Sequence, residues 1–257
     1  MTAFSTPPCE VSPTRDIVVA DAAHLPWPDG SVDLIVCSPP YGIGVPYADG
    51  GDVLPGDYWP AAAAWAEEMR RVVRQNGGRL ALNIALDTTW STTFFADWVQ
   101  TLRCAGWTIR HNITWNESNI SRRTAWGSWL LPSAPHVVNP SEMIVVCHVG
   151  EYRRAAHGRR GDILPHEQVA WSLAMWSFAG ANAKLIGHPA PFPEELPRRL
   201  VKLYSYPGDV VLDPFVGSGT TAVVAARLGR RVLGADRSPT YVGMARHALA
   251  RELQRAA

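Results

Sequence analysis

The tetrapeptide Ser38-Pro39-Pro40-Tyr41 places a hydroxyl, carbonyl acceptors and an aromatic ring within one short turn. It follows Val32–Cys37, an apolar run that is typical of a buried strand. The two prolines fix two φ angles and remove two backbone donors, so the carbonyls of Ser38 and Pro39 are held in a stiff turn where the strand ends. In open α/β sheets, ligands bind at that end of the strands.

Such a turn suits the chemistry of an exocyclic amine on a nucleobase. The amine is a poor nucleophile because its lone pair is delocalised into the ring. If its two N–H groups donate to the Ser38 hydroxyl and to a proline carbonyl, the nitrogen is favoured in a tetrahedral, attacking form, and Tyr41 can stack on the base. The simpler alternative is a diproline turn that only closes a strand.

A second candidate site lies near the C-terminus, where Val210–Leu212 predicts a strand that runs into the glycine-rich stretch 213–221 and a helix. Backbone N–H groups at such a turn bind anionic or polar ligands. Asp236 ends the next strand. Its distance along the sequence from the glycine-rich stretch matches that of the acid that binds the ribose hydroxyls in dinucleotide sites. The Gly-Lys-Ser/Thr ending of a P-loop is missing. The bulky Phe215-Val216 pair disfavours pyrophosphate, so we favour S-adenosylmethionine over NAD.

Strands and helices alternate in the predicted structure, with one interruption. Between about 116 and 182 the alternation is lost, and only Met143–Val149 predicts a strand. Elsewhere the pattern predicts strands at 16–20, 32–37, 79–86, 107–115, 210–212 and 231–235, and helices at 58–75 and 91–105, from about 191 to 204, from 220 to 228 and at 239–254.

Only one strand follows the glycine-rich stretch, so the other strands of its sheet must come from upstream. Parallel strands share one C-terminal edge, which predicts that Asp21, Ser38, Gly217 and Asp236 meet in one crevice. We therefore expect a circularly permuted, Rossmann-like, doubly wound α/β sheet with a small inserted region.

The composition indicates which broad class of protein this is. The 257 residues are 47% hydrophobic with a net charge of +1, as in a globular protein. The sequence shows neither an apolar run long enough for a bilayer nor a signal-peptide pattern, which favours the cytoplasm. The cysteines form no C-x-x-C pair, so we expect buried thiols, with neither a disulfide framework nor a metal site. They are Cys9, Cys37, Cys104 and Cys147.

Four stretches resemble the beta-group amino-directed DNA methyltransferases, in which the catalytic motif precedes the cofactor motif. They are ADAAHLPWPDGSVDLIVCSPPY at 20–41, TAWGSW at 124–129, HPAPFPEELPRRLVKLYSYPGDVVLDPFVGSGTT at 188–221 and GADRSPTYVGMA at 234–245. The resemblance implies S-adenosylmethionine as the cofactor and direct methyl transfer to a base flipped out of double-stranded DNA. It divides the chain into a catalytic half (1–115), a target-recognition region (116–182) and a cofactor-binding half (183–257).

The resemblance also implies roles for single residues. The catalytic motif is Ser38, Pro39, Pro40 and Tyr41. The cofactor site is Asp21, Ala22, Asp213, Phe215, Gly217, Ser218, Gly219, Thr220 and Asp236. The region 116–182 is rich in arginine and tryptophan, a composition that leaves DNA contacts, a packing lid and a solvated face open, and the resemblance favours DNA contacts among these. The candidates for these contacts are Arg122, Arg123, Trp126, Arg153 and Arg154.

The target base follows from the first catalytic residue. Serine at this position usually accompanies cytosine N4 methylation in the family, so we expect that product, with adenine N6 methylation as the alternative. Methylation at cytosine C5 is disfavoured because it needs a cysteine nucleophile after a proline, whereas Cys37 precedes Ser38 on a strand. Outside the class, the alternatives are a nucleotide-cofactor oxidoreductase and a catalytically silent DNA-binding regulator. A restriction endonuclease and a second copy of the chain are the further partners considered.

Overall fold

The computed structural model describes residues 16–117, 127–137, 139–181, 188–191 and 193–256. These ranges form one eight-stranded sheet and six helices. The strands are β1 (Asp16–Val19), β2 (Leu34–Cys37), β3 (Arg79–Ala85), β4 (Thr108–Asn116), β5 (Ser141–His148), β6 (Met175–Ser177), β7 (Val210–Asp213) and β8 (Arg231–Asp236). The helices are α1 (Pro55–Val72), α2 (Phe94–Cys104), α3 (Pro165–Trp171), α4 (Glu195–Tyr204), α5 (Thr220–Arg227) and α6 (Pro239–Ala256).

The strand order in space is β1-β8-β7-β2-β3-β5-β4-β6. The first five of these strands are parallel, and β5 runs antiparallel to both β3 and β4. The two C-terminal strands β7 and β8 therefore lie between the two N-terminal strands β1 and β2. This order confirms the predicted circularly permuted, doubly wound sheet.

The central strand β2 is buried on both faces, which explains its unbroken apolar sequence. Ile35 and Cys37 face the layer formed by α1 and α2, where Trp65 and Trp98 pack. Leu34 and Val36 face the opposite layer, which includes α4, α5 and α6. The alternation of side chains along a strand thus divides one short run between two cores.

Two elements of the 116–182 region were not predicted, namely α3 and β6. Strand β6 has only three residues, of which Trp176 alone is buried, so it is too short for a period of two to be visible. It pairs in parallel with the end of β4, and β5 is also part of the main sheet. Two strands of this region therefore belong to the main sheet.

The cysteine prediction is confirmed at two positions. Cys37 and Cys147 are buried, and the Sγ of Cys37 lies 3.9 Å from the Sδ of Met69. Burial raises the pKa of the Cys37 thiol well above its usual value, which fits a packing residue and not a nucleophile. The prediction is wrong for Cys104, which is exposed at the end of α2. Cys9 lies outside the described residues.

None of the helices described here has the length and apolar character to cross a membrane.

Candidate active site

The carboxyl ends of β1, β2, β7 and β8 open into one cleft of about 900 Å³. The diproline turn and the glycine-rich stretch therefore share a crevice, as predicted from the rule that parallel strands end at one common edge of the sheet. The predicted residues that line the cleft are Ser38, Pro39, Pro40, Tyr41, Asp21, Ala22, Asp213, Phe215, Gly217, Ser218, Thr220 and Asp236.

Gly219 is the predicted cofactor residue that does not line the cleft. It precedes α5 with φ +87°, a conformation that suits glycine. A Cβ atom at this position would lie 2.8 Å from the Cα of Ala245 on α6. The glycine therefore allows the start of α5 to pack closely against α6, and its role is in packing.

The glycine loop and the acid of β8 are joined directly. The backbone N–H of Gly217 donates to Oδ2 of Asp236 at 3.0 Å, and that of Ser238 donates to Oδ1 at 2.9 Å. Burial raises the pKa of Asp236, although these two donors oppose the effect. The carboxylate is thus fixed in orientation at the floor of the cleft.

Two other predicted acids differ in environment. Asp213 is buried at the end of β7, where Oδ1 accepts the N–H of Phe215 at 3.0 Å. Burial raises its pKa from 3.8 to about 7. Asp21 is exposed and caps a turn by accepting the N–H of Ala23 at 2.8 Å. Asp21 is therefore both a turn residue and part of the cleft wall.

An aromatic group covers the glycine loop. The ring of His188 lies 4.5 Å from that of Tyr241 and 6.0 Å from that of Tyr47, measured between centroids. Nδ1 of His188 accepts the N–H of Ala190, so in the neutral ring Nε2 carries the proton. Burial lowers the pKa of His188, which favours that neutral form. His188 was not among the predicted site residues, yet it lies beside Gly217 and lines the cleft.

The loop from Gly42 to Gly56, which follows the diproline turn, is held by the carboxylates of two aspartates. The Asp52 carboxylate accepts the N–H groups of Gly42 and Gly44 at 3.2 Å and 3.1 Å. Further along, Asp49 accepts the Ser238 hydroxyl at 2.6 Å. The loop thereby connects the diproline turn to the start of α6 across the cleft.

The diproline turn is supported by aromatic donors. Tyr58 donates its hydroxyl to the Pro40 carbonyl at 2.7 Å, and Trp90 donates its indole N–H to the Tyr41 carbonyl at 3.1 Å. Phe94 packs edge-on against Tyr41, with 5.7 Å between ring centroids. These contacts hold the turn while Ser38 and Pro39 line the cleft.

A chain of side-chain hydrogen bonds runs inward from Ser38. Its Oγ lies 3.0 Å from the hydroxyl of Tyr41, which donates to Oε1 of Glu142 at 3.3 Å. Asn83 on β3 donates its amide to the other carboxylate oxygen. Glu142 and Asn83 were not predicted. A signal was present, because Asn83 interrupts the apolar run of β3 and Glu142 directly precedes that of β5, but their meeting depends on the pairing of these two strands.

The comparison with known proteins decides the family. The family model for N6/N4 DNA methylases matches residues 32–247. The chain belongs to this DNA methylase family. It is thus a DNA methyltransferase with S-adenosylmethionine as the methyl donor, while the choice between cytosine N4 and adenine N6 is a separate question.

Relatives of this DNA methylase span bacteria and archaea. The type II methyltransferase M.MjaVI of Methanocaldococcus jannaschii is 36% identical over 64% of this chain and 85% of its own. The DNA adenine methyltransferase YhdJ of Escherichia coli is 27% identical over 84% of this chain and 76% of its own. The structure of TTHA0409 from Thermus thermophilus, complexed with S-adenosyl-L-methionine, superposes with a TM-score of 0.73 at 28% identity. The match covers 93% of this chain and 96% of that chain.

The predicted DNA contacts of the methylase need one correction. Arg154 lies at the opposite edge of the sheet from the cleft, because β5 is antiparallel and ends there. Its side chain is only 7% exposed and bridges Asp33 and Asp209 at 3.0 Å and 2.7 Å. Arg154 is therefore a buried ion-pair residue that lies away from the cleft. Arg153 is exposed beside it, whereas Arg122, Arg123 and Trp126 lie outside the described residues.

Proposed function

We propose that this methyltransferase modifies the N4 amine of cytosine in double-stranded DNA, with Ser38-Pro39-Pro40-Tyr41 as its catalytic motif. The observation that carries the proposal is the shared cleft. The Ser38 hydroxyl and the Pro39 carbonyl line the same space as the glycine loop and Asp236. A base held by Ser38 and Pro39, and a methyl donor held by the glycine loop and Asp236, can therefore react within the same cleft.

The residues present fit the cofactor. Asp236 supplies a fixed carboxylate for the ribose hydroxyls, because the Gly217 N–H holds it in place, and the start of α5 at Thr220 offers N–H groups for a carboxylate. Phe215 and Ala22 provide apolar wall for the adenine. When bound, S-adenosylmethionine supplies an electrophilic methyl group on a sulfonium.

The catalytic residues then act on the target amine. A base must leave the duplex to enter the cleft, as in other enzymes that modify bases. Its amine donates to the Ser38 Oγ and to the Pro39 carbonyl, which orients the nitrogen lone pair towards the methyl group. Tyr41 packs against the base. Methyl transfer is direct, because the proposed chemistry uses no covalent link between the protein and the base.

The target base is tested by the product. Plasmid DNA from a methylation-deficient host is incubated with the protein and S-adenosylmethionine, digested to nucleosides and analysed by mass spectrometry. We expect N4-methylcytosine. Adenine N6 methylation is the alternative, supported by the similarity to the adenine enzyme of Escherichia coli, and N6-methyladenine alone would reject the cytosine proposal.

The Ser38→Ala variant tests the motif itself. We expect it to bind S-adenosylmethionine with wild-type affinity by calorimetry and to lose at least about 100-fold in turnover, because one acceptor for the amine is removed. A variant with wild-type turnover would favour a catalytically silent role for the turn. Binding of NAD in place of S-adenosylmethionine would favour an oxidoreductase.

DNA contacts are proposed for the described segment 127–137, within the predicted target-recognition region. The segment lies between β4 and β5 in the chain, and the end of β4 and the start of β5 are both at the edge of the sheet that bears the cleft. Its turn is closed by the Ser128 hydroxyl, which donates to the Leu131 carbonyl at 2.6 Å and accepts the N–H of Ala134 at 2.9 Å. Trp129 and Leu130 lie within that turn and are 67% and 84% exposed.

Exposed apolar side chains beside a base-binding cleft suit insertion between unstacked bases. We expect Leu130→Ser to raise the KM for plasmid DNA several-fold and to leave the affinity for S-adenosylmethionine unchanged. Val169→Ser, at an equally exposed apolar position on α3, is the matched control. Equal KM values for the two variants would remove the segment from the proposed interface.

The similarity to type II methyltransferases supports a role in restriction and modification, which we propose for this chain. The restriction endonuclease partner, the homodimer and the cytoplasmic location stay predictions. Single-molecule sequencing of DNA from cells that express the protein would reveal the modified motif, and a cognate endonuclease would be one that this modification blocks.

A further inference from the structure

The hydrogen-bond chain behind Ser38 has a fixed direction. A tyrosine hydroxyl has a single proton, and that of Tyr41 is donated to Glu142. In the contact between Ser38 and Tyr41, the serine must therefore be the donor. The lone pairs of Ser38 Oγ are then available to accept an N–H group from a ligand. Glu142 thus determines which way the catalytic hydroxyl points its proton.

Glu142 is well placed to hold this direction. It lies opposite Ala85 in the β3–β5 pair, and the Asn83 amide donates to Oε2 while Oε1 accepts from Tyr41. Burial, and next the negative charge of Glu142, raise the pKa of Tyr41 well above its usual value, so the phenol keeps its proton. Glu142 also lines the cleft, which gives it access to solvent when the cleft is empty.

Methylation of an exocyclic amine releases one proton. As the N–C bond forms, the electron pair of the broken C–S bond stays on sulfur, and the nitrogen becomes cationic unless it loses a proton. The Ser38 hydroxyl, the group that accepts the N–H bond in the proposed function, is too weak a base to keep that proton. A stronger base must receive it.

We infer that Glu142 is the terminal proton acceptor of the methyl transfer, reached through Tyr41 and Ser38. The inference rests on the proposed function. The amine proton passes to Ser38 Oγ, the proton of Ser38 passes to the Tyr41 oxygen, and the proton of Tyr41 passes to Oε1 of Glu142. The products are a neutral methylated base and a neutral carboxylic acid, which returns its proton to water after the product leaves.

Glu142→Gln separates proton acceptance from positioning. The amide oxygen of glutamine can still accept from Tyr41, and once the Asn83 side-chain amide turns over, the glutamine NH2 can donate to Asn83 Oδ1, which has no hydrogen-bond partner among the described residues. A purely positioning role therefore survives the change, whereas the basicity is lost. We expect the single-turnover rate on unmethylated plasmid DNA to fall by about 100-fold or more.

The pH profile gives the second readout. The titratable groups that face Glu142 are Tyr41 and Tyr47, and Glu117 lines the same cleft. Asp213 and Asp236 also titrate there, so the wild-type profile alone is ambiguous. We expect the single-turnover rate of the wild type to fall at acid pH as Glu142 is protonated. This part of the profile should be absent in Glu142→Gln and retained in the control Glu117→Gln.

Tyr41→Phe interrupts the same chain of hydrogen bonds at its middle member. It tests the proton path independently if Glu142→Gln does not fold. We expect it to lose the same pH-dependent part of the rate, and the double variant to be no slower than the slower single variant, because both changes interrupt one path. Calorimetry with S-adenosylmethionine and circular dichroism establish that each variant is folded.

The outcomes distinguish this inference from the proposed function. If Ser38→Ala abolishes methylation but Glu142→Gln or Tyr41→Phe keeps the wild-type rate and pH profile, the proton path is wrong and the catalytic motif stands. If Ser38→Ala itself methylates DNA at the wild-type rate, the proposed role of the turn fails, and the path fails with it.

Discussion

The N–H of Gly217 lies 3.0 Å from Oδ2 of Asp236, so the glycine loop after β7 is bonded to the last residue of β8. The bond has two consequences. It fixes the carboxylate at the cleft floor, and it fixes the loop in a conformation with φ +47° at the glycine. The proposed cofactor contacts of the loop and of the acid therefore depend on each other.

Asp236→Ala is expected to weaken S-adenosylmethionine binding by at least about 100-fold, because hydrogen bonds to a charged acceptor contribute about 1.5–3 kcal/mol each. The variant loses the acceptor for the Gly217 and Ser238 N–H groups and the proposed ribose partner together. Isothermal titration calorimetry measures the effect. Asp16→Ala, at the start of β1 on the opposite edge, is the control. Wild-type affinity in Asp236→Ala would exclude Asp236 from the cofactor site.

Asp213 is expected to make stability depend on pH. Its pKa rises from 3.8 to about 7 on folding because the group is buried, so the folded state binds the proton more tightly than the unfolded state. The free energy of unfolding therefore falls as the pH rises from about 4 to about 7. Below that window the contribution is fully present.

The comparison with Asp213→Asn isolates this group, since all other titrations occur in both proteins. We expect the free energy of unfolding of the variant, relative to that of the wild type, to increase by a few kcal/mol between pH 5 and pH 8. Urea unfolding at each pH measures this difference. A difference that stays constant with pH would mean that Asp213 ionises normally in the folded protein.

The meeting of Ser38 with Gly217 could be predicted from the sequence because it needs only two rules. Each residue follows an apolar strand, and parallel strands end at a common edge. Neither rule requires the register of any pair. The circular permutation follows as well, since a single strand after the glycine loop cannot form a sheet alone.

The partners of Ser38 could not be predicted in the same way. Glu142 reaches Tyr41 because it pairs opposite Ala85, and a shift of one residue would turn its side chain to the other face. The prediction of a DNA contact at Arg154 was wrong for a related reason. Arg154 follows an antiparallel strand, so it lies at the edge away from the cleft, and charge alone does not show strand direction.

Arg154→Ala is expected to destabilise the protein by about 3 kcal/mol, because it leaves two buried carboxylates without their shared partner. Asp33 and Asp209 are each 2% exposed. Arg74 and Arg159 also contact these carboxylates. The expected loss of unfolding free energy is therefore at the low end of the range for a broken buried ion pair. Urea unfolding measures the change.

The exposed neighbour is the control for this prediction. Arg153→Ala should change the free energy of unfolding by less than about 0.5 kcal/mol. Under conditions where both variants are folded, both should keep the wild-type KM for DNA. A raised KM for Arg153→Ala alone would support the prediction of a DNA contact at that residue.

Gly217→Ala is expected to damage the cofactor site more than the fold. A Cβ atom there would lie 2.8 Å from Nε2 of His188, in addition to the strain of a side chain at positive φ. Gly208 has φ +85° with open space around it, so Gly208→Ala has the strain without the contact. We expect each variant to lose about 1–2 kcal/mol of stability, and only Gly217→Ala to lose affinity for S-adenosylmethionine.

His188→Ala tests whether the steric contact is the cause. In the Gly217→Ala background it removes the ring that the new methyl group meets, so the affinity for S-adenosylmethionine should return to that of the single His188→Ala variant. The difference between the two values, measured by calorimetry, isolates the contact from any direct role of the imidazole. If the double variant binds no better than Gly217→Ala, the loop conformation at φ +47°, and not the histidine, requires glycine.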